Sequence, residues 1–174
     1  MKTFTSILAA LSLLAIPSLV RAECKLNNAI EEDEKTKEDR EALCLSQGED
    51  AWTFALQISE VSVPTFDGDN PFEGIAGHQA FIIYDNTCMR RGVYSPDNEG
   101  NDCGLNYVID EDWLPYTIIV TRINWDVGDP YFYFNYANGA YMIGENGATC
   151  TDISSGLRAE QGCKSAFPIN GEAE

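Results

Sequence analysis

At Trp52 the pattern of hydrophobic and polar positions changes from scattered to alternating. In "WTFALQIS", Trp52, Phe54, Leu56 and Ile58 fall on one parity, with Thr53, Ala55, Gln57 and Ser59 on the other. That two-residue period predicts a strand with one face turned inward. Val61 and Val63, the next inward-type residues, are out of phase, and a slip of one residue predicts a β-bulge near Ser59 and Glu60. "HQAFIIYD" is apolar on both parities and predicts a strand covered on both faces. "LNYVID" resumes alternation with Leu105, Tyr107 and Ile109, and "YTIIVTRINW" is the run richest in β-branched residues.

"YFYFNYANGAYMIG" holds the sharpest local signal. Asn138-Gly139 lies between aromatic runs, and both residue types tolerate the positive φ of a type I′ hairpin turn. Before it, Tyr131, Tyr133 and Asn135 share one face and Phe132, Phe134 and Tyr136 the other. One face must be core. The other is a candidate lining for a flat apolar ligand or a protein partner, so Tyr131, Phe132, Tyr133 and Phe134 are all candidates at this stage. Gly- and Pro-rich connections such as "PTFDGDNPFEGIAG" separate the runs. Six or seven short strands at this spacing predict an antiparallel sandwich or barrel.

Residues 24–50 are different. Charge dominates, Glu31–Lys35, Asp33–Lys37 and Lys37–Glu41 are spaced i, i+4, and the apolar residues are mainly Leu26, Ile30, Leu43 and Leu45. The expectation is an acidic helical or partly disordered arm over 23–50, outside a β domain over 51–174. Ahead of it, Lys2, the apolar run from Ile7 to Ile16, Pro17 and the small residues near Ala22 have the parts of a secretory signal cut after Ala22. That apolar run is short for a membrane span, which takes about 20 residues. The expected product is secreted and extracellular, with no membrane-spanning part.

Secretion changes the reading of the six cysteines, Cys24, Cys44, Cys88, Cys103, Cys150 and Cys163. An oxidising compartment favours disulfides, and six cysteines allow 15 connectivities. Cys88 and Cys103 flank a turn-rich loop at facing ends of adjacent predicted strands. A bridge there would close a loop of about 15 residues, worth roughly 3 kcal/mol in the chain-entropy model. Cys24 and Cys44 bracket the arm, clamped on each other or tied to another chain. No CxxC occurs and His78 is the only histidine, so neither a zinc site nor a redox pair is expected. Dinucleotide, P-loop and EF-hand patterns are absent as well, and no cofactor is expected.

The formal charge is −17. Removing Lys2 and Arg21 leaves 9 basic against 28 acidic residues, or −19. Such a surface repels nucleic acid and anionic membranes and attracts cationic partners. The acidic turn Asp110-Glu111-Asp112 invites a glycosidase reading, which needs two placed carboxylates, but an acidic chain makes such clusters by chance. "DGDN" (67–70) and "DNEGND" (97–102) carry oxygen ligands suited to calcium without EF-hand spacing, and loop solvation explains both. Arg90-Arg91 is the only adjacent basic pair, a candidate partner contact or dibasic processing site.

"WTFALQISEVSV", a cysteine pair across a central loop and a shorter cysteine pair near the C-terminus together resemble the Alternaria major allergen family of fungal secreted proteins, over roughly residues 51–169. The resemblance implies a β-barrel with bridges Cys88–Cys103 and Cys150–Cys163, a fungal origin and a homodimer. It also implies a non-enzymatic effector or elicitor role at a plant or host surface, binding host defence proteins or small phenolic ligands. The family joins two subunits through an N-terminal cysteine, whereas here Cys24 and Cys44 can satisfy each other. The expected function is a secreted effector- or allergen-like binding protein whose partner is a host protein. Carriage of a small apolar or phenolic ligand is the alternative, and acidic cell-wall hydrolysis a weaker third.

Overall fold

The computed structural model describes residues 24–29, 43–64, 72–96, 106–154 and 158–171. The expected signal segment, the middle of the acidic arm, both candidate calcium loops and Cys103 lie outside the described residues.

Ten strands are described, β1 (Cys24–Lys25), β2 (Ala51–Pro64), β3 (Phe72–Tyr84), β4 (Arg90–Tyr94), β5 (Tyr107–Ile109), β6 (Ile118–Asn124), β7 (Tyr131–Tyr136), β8 (Gly139–Met142), β9 (Thr149–Asp152) and β10 (Arg158–Pro168). They form two five-stranded sheets, ordered β1-β5-β6-β7-β8 and β4-β3-β2-β10-β9. All pairings are antiparallel except the short parallel contact of β1 with β5. The fold is all-β, as the alternation predicts, and has the form of a sandwich rather than a closed barrel. The runs singled out in the sequence give β2, β3, β5, β6, β7 and β8; β1, β4 and β9 are too brief for a periodic signal, and β10, 11 residues long, has no apolar alternation to show it.

The core lies between the sheets. Phe54, Leu56, Ile58, Phe81 and Ile83 of one sheet meet Ile118, Val120, Phe132, Phe134 and Tyr136 of the other, all essentially inaccessible to solvent. Phe54 is its hub, with ring centroids 4.7 Å from Phe134, 5.4 Å from Phe81 and 5.6 Å from Phe132. Removing a ring so enclosed costs about 3–5 kcal/mol.

A second apolar layer covers the far face of the β2–β3 sheet. Ala55, Ala80, Ile82 and Tyr84 are buried there beneath Leu43 and Cys44, so the strand apolar on both parities is covered on both faces. The covering segment belongs to the stretch expected to be a separate arm. Its near end is tied down by Thr53: Leu45 N donates to Thr53 Oγ1 at 2.9 Å and the hydroxyl donates back to Leu45 O at 3.1 Å. Its other end forms β1, and Leu26 is buried in the main core. Both described ends of the expected arm are docked on the β domain, because a few leucines can plug a sheet that offers gaps for them; the part expected to be helical lies outside the described residues. No helix among the described residues is long and apolar enough to cross a membrane.

Three further expectations are corrected. Cys88 bonds to Cys44, not to Cys103, and Cys44 is therefore unavailable to Cys24. The chain-entropy argument sees only sequence separation, while the docking of residues 43–45 on the β3 face brings Cys44 to Cys88. The Cys150–Cys163 bridge is present between paired positions of β9 and β10. The register runs unbroken past Ser59 and Glu60, and the irregularity falls between Ser62 and Pro64. The β7–β8 turn sits one residue early: Tyr136 pairs with Gly139 and the positive φ, 50°, belongs to Ala137. Gly139 serves instead to make room for Tyr141, since a Cβ there would lie 2.7 Å from that ring's Cε2.

Candidate functional site

The end of the sandwich where β2 begins and β3 turns into β4 gathers residues far apart in sequence. Asp85 organises the turn. Its Oδ1 accepts hydrogen bonds from Thr87 N (2.9 Å), Thr87 Oγ1 (2.7 Å) and Met89 N (2.9 Å), while Cys88 is held at φ 61° by a turn that also carries the bridge to Cys44. On leaving the turn, Tyr84 pairs with Arg90 and Ile83 with Gly92, so Arg91 is an extra residue in β4. A bulge re-aims its side chain, and the expected Arg90-Arg91 pair is split. Arg90 is half-buried opposite Tyr84, whereas Arg91 projects to the sandwich end with 44% of its side chain exposed. Both residues lie in a strand hydrogen-bonded to β3, a poor shape for a processing protease.

Arg91 meets two tryptophans. Its Cζ lies 5.8 Å from the ring centroid of Trp52 and 5.8 Å from that of Trp113, and the indoles stack on each other at 5.8 Å with 27° between planes. Each cation–π contact at a partly exposed site contributes about 0.5–1 kcal/mol. Among the described residues the one carboxylate paired with it is Asp85, whose Oδ2 is 3.9 Å from Nη1, too long for a hydrogen bond and worth little at this exposure. Among the described residues the Arg91 guanidinium donates no hydrogen bond.

Trp113 is placed by its neighbours in the acidic turn. Leu114 N donates to Glu111 O at 2.9 Å and the Leu114 side chain is buried, which pins the turn to the core. Tyr94 Oη donates to Glu111 Oε1 at 3.1 Å. Burial, reinforced by the Glu111 carboxylate, holds that phenol far above the usual tyrosine range. Asp110 Oδ2 pairs with Lys25 Nζ at 3.1 Å and Asp110 Oδ1 accepts from Thr117 at 3.3 Å. The hydrogen bond and charge of Lys25 hold its carboxyl below the usual range. Both carboxylates act as ties. The N-terminal segment completes the frame: Leu26 N donates to Val108 O and Ala29 N to Val93 O, bridging the edges of the two sheets. Asn28 Nδ2 donates to Arg91 O at 3.4 Å.

The other sequence candidates are sorted by the β7 alternation. Phe132 and Phe134 are core and drop out as binding residues, while Tyr131 and Tyr133 face outward, half-buried, with Arg122 over the Tyr133 ring at 5.9 Å. His78 is exposed on β3 opposite Ser59. No group of three or more potential metal ligands occurs among the described residues. A cleft of about 570 Å³, unforeseen in the sequence, runs between residues 47–51 and 166–170, with Tyr141, Asn146 and Phe167 in its walls.

Sequence reasoning singled out Arg91 but missed Trp52 and Trp113 as site residues. Their positions, 39 and 22 residues from Arg91 in the chain, carry no short-range motif, and the bulge that unites them has no signature. No family model, curated protein or solved structure matches this chain.

Proposed function

We propose that this is a secreted, non-enzymatic binding protein of the effector or allergen type. It acts at a host surface or in the apoplast, engaging a host protein through the sandwich end that carries Trp52, Arg91 and Trp113. The observation that carries the reading is Arg91: a planar cation backed by two indoles, whose guanidinium donates no hydrogen bond among the described residues. Arginine and tryptophan are the residue types that dominate binding hot spots. The disulfides Cys44–Cys88 and Cys150–Cys163 fit an oxidising extracellular setting. Asp110 and Glu111 are engaged with Lys25 and Tyr94, which supports binding over hydrolysis at the acidic turn.

The test is retention of host extracellular proteins on the immobilised full chain, compared with Arg91→Ala and Trp113→Ala variants of unchanged disulfide map. A protein retained by the wild type and released by both substitutions is the expected result. Equal retention by all three, or hydrolysis of a wall polysaccharide that Glu111→Gln abolishes, would overturn it. The alternative, carriage of a small apolar or phenolic ligand, draws on the cleft lined by Tyr141 and Phe167, whose volume suits a small molecule. Saturable binding of a phenolic probe that Tyr141→Ala weakens and Trp113→Ala leaves intact would favour it.

A further inference from the structure

We infer that the Trp52–Arg91–Trp113 cluster is a subsite for a neutral sugar ring. The inference rests on the reading of this end as the binding surface and adds the chemistry of what it holds.

The groups present decide between ligand classes. A cation is excluded by Arg91 itself, which stands over both indoles at 5.8 Å and repels a second positive charge. An anion would satisfy the guanidinium, but the Asp85 carboxylate already stands 3.9 Å from it and would repel a second negative charge. Glu111 and Asp112 stand on the turn that carries Trp113, and the chain as a whole is at −17. A purely apolar ligand would cover the five guanidinium N–H donors and leave them without acceptors, and unmet buried donors are expensive. A neutral polyol avoids all three conflicts. Its hydroxyl oxygens accept from Arg91, a hydroxyl proton donates to Asp85 Oδ2 beside the guanidinium, and the C–H face of a pyranose packs on indole. Few polar groups set beside aromatic faces are the usual means of orienting a small ligand.

The same chemistry has two sources, a free wall polysaccharide and a glycan carried on a protein. Cellohexaose and a high-mannose N-glycan are the probes for the two, titrated into the full chain and followed by tryptophan fluorescence and calorimetry. Either probe should give a saturable change, weakened at least tenfold in Trp113→Ala and in Arg91→Ala, and unchanged in Trp125→Phe. Trp125 packs on Phe81 and Tyr107 instead. Whichever probe binds identifies the source. Affinity should hold within twofold between 50 and 500 mM NaCl, because no charged ligand group is involved. Binding that collapses with salt would assign an anion and overturn the inference. So would silence to both glycans while Arg91-dependent retention of a host protein persists, which leaves the binding-protein reading standing. Loss of both responses overturns the two together.

Discussion

Leu43 fills the space that a side chain at position 162 would need. Gly162 lies in the middle of β10, and a Cβ built there overlaps the Leu43 side chain, with Leu43 Cγ at 3.2 Å and Ile153 Cδ1 at 3.4 Å. Gly162 is not among the residues at positive φ, so its reason for being glycine is room rather than backbone freedom. The gap is the socket that lets a leucine from the acidic stretch plug the outer face of the sheet.

Gly162→Ala should therefore destabilise by about 1–3 kcal/mol, the usual cost of forcing extra atoms into a packed site. Leu43→Ala should cost about 2–5 kcal/mol through the cavity it leaves. Because the two changes act on the same space, the double variant should lie well short of their sum, and urea unfolding of all four proteins measures the coupling. Strict additivity would separate Leu43 from Gly162.

Thr53 secures the same segment by a different means. Its hydroxyl serves both the N–H and the C=O of Leu45, and it is fully buried. Thr53→Val keeps the shape and strands both backbone groups, at a cost of about 1–3 kcal/mol. Hydrogen exchange at the Leu45 amide should quicken far more than at Leu56 in the sheet core. Equal changes at the two amides would mean that Thr53 supports global stability rather than this tie.

The bridges rank by the chain they close. Cys44–Cys88 spans 44 residues and Cys150–Cys163 spans 13, which the chain-entropy model values at about 4 and about 3 kcal/mol. Replacing the Cys44–Cys88 pair by alanines should lower stability more than replacing the other pair, and should free Leu43 as well. A non-reducing peptide map should recover both linkages, and the same digest reads the partner of Cys24, which is also oxidised. Recovery of Cys88 joined to Cys103 would restore the pairing implied by the allergen-family resemblance.

That reversal shows where the sequence was legible. Period-two patterning in "WTFALQIS" and the double-sided apolarity of "AFIIY" reported the sheet and both its covered faces, because strand alternation is a local property. Leu26 and Leu43 looked too sparse to bury anything, since a plug is defined by its socket, and the socket at Gly162 is 119 residues further on. The Asn138-Gly139 signal found the hairpin and missed its centre by one residue, because Gly139 answers to the Tyr141 ring rather than to the turn. The Trp52–Arg91–Trp113 cluster was invisible for the same reason as the Cys44–Cys88 bridge. Both depend on how separate elements meet at a bulge and a docked segment, and neither leaves a repeat or spacing in the chain.

Alkali should unfold the protein through its buried tyrosines. Tyr136 is pushed up to about 12 by burial, and its hydroxyl donates to Ile169 O at 2.6 Å. Tyr94 is pushed higher by burial and by the Glu111 carboxylate it donates to. Both folded-state values lie above the unfolded value of about 10, so the folded form holds these protons more tightly. Their contribution is fully present below pH of about 10 and is lost as pH rises toward the folded values. Stability measured by urea unfolding should fall from about pH 10 upward, and Tyr94→Phe should flatten that fall while removing the tie to Glu111 that helps place Trp113. Absorbance at 295 nm should show Tyr94 ionising only as the fold gives way. Ionisation of Tyr94 in the folded protein near pH 10 would mean that its phenol is open to solvent and that Glu111 is not held by it.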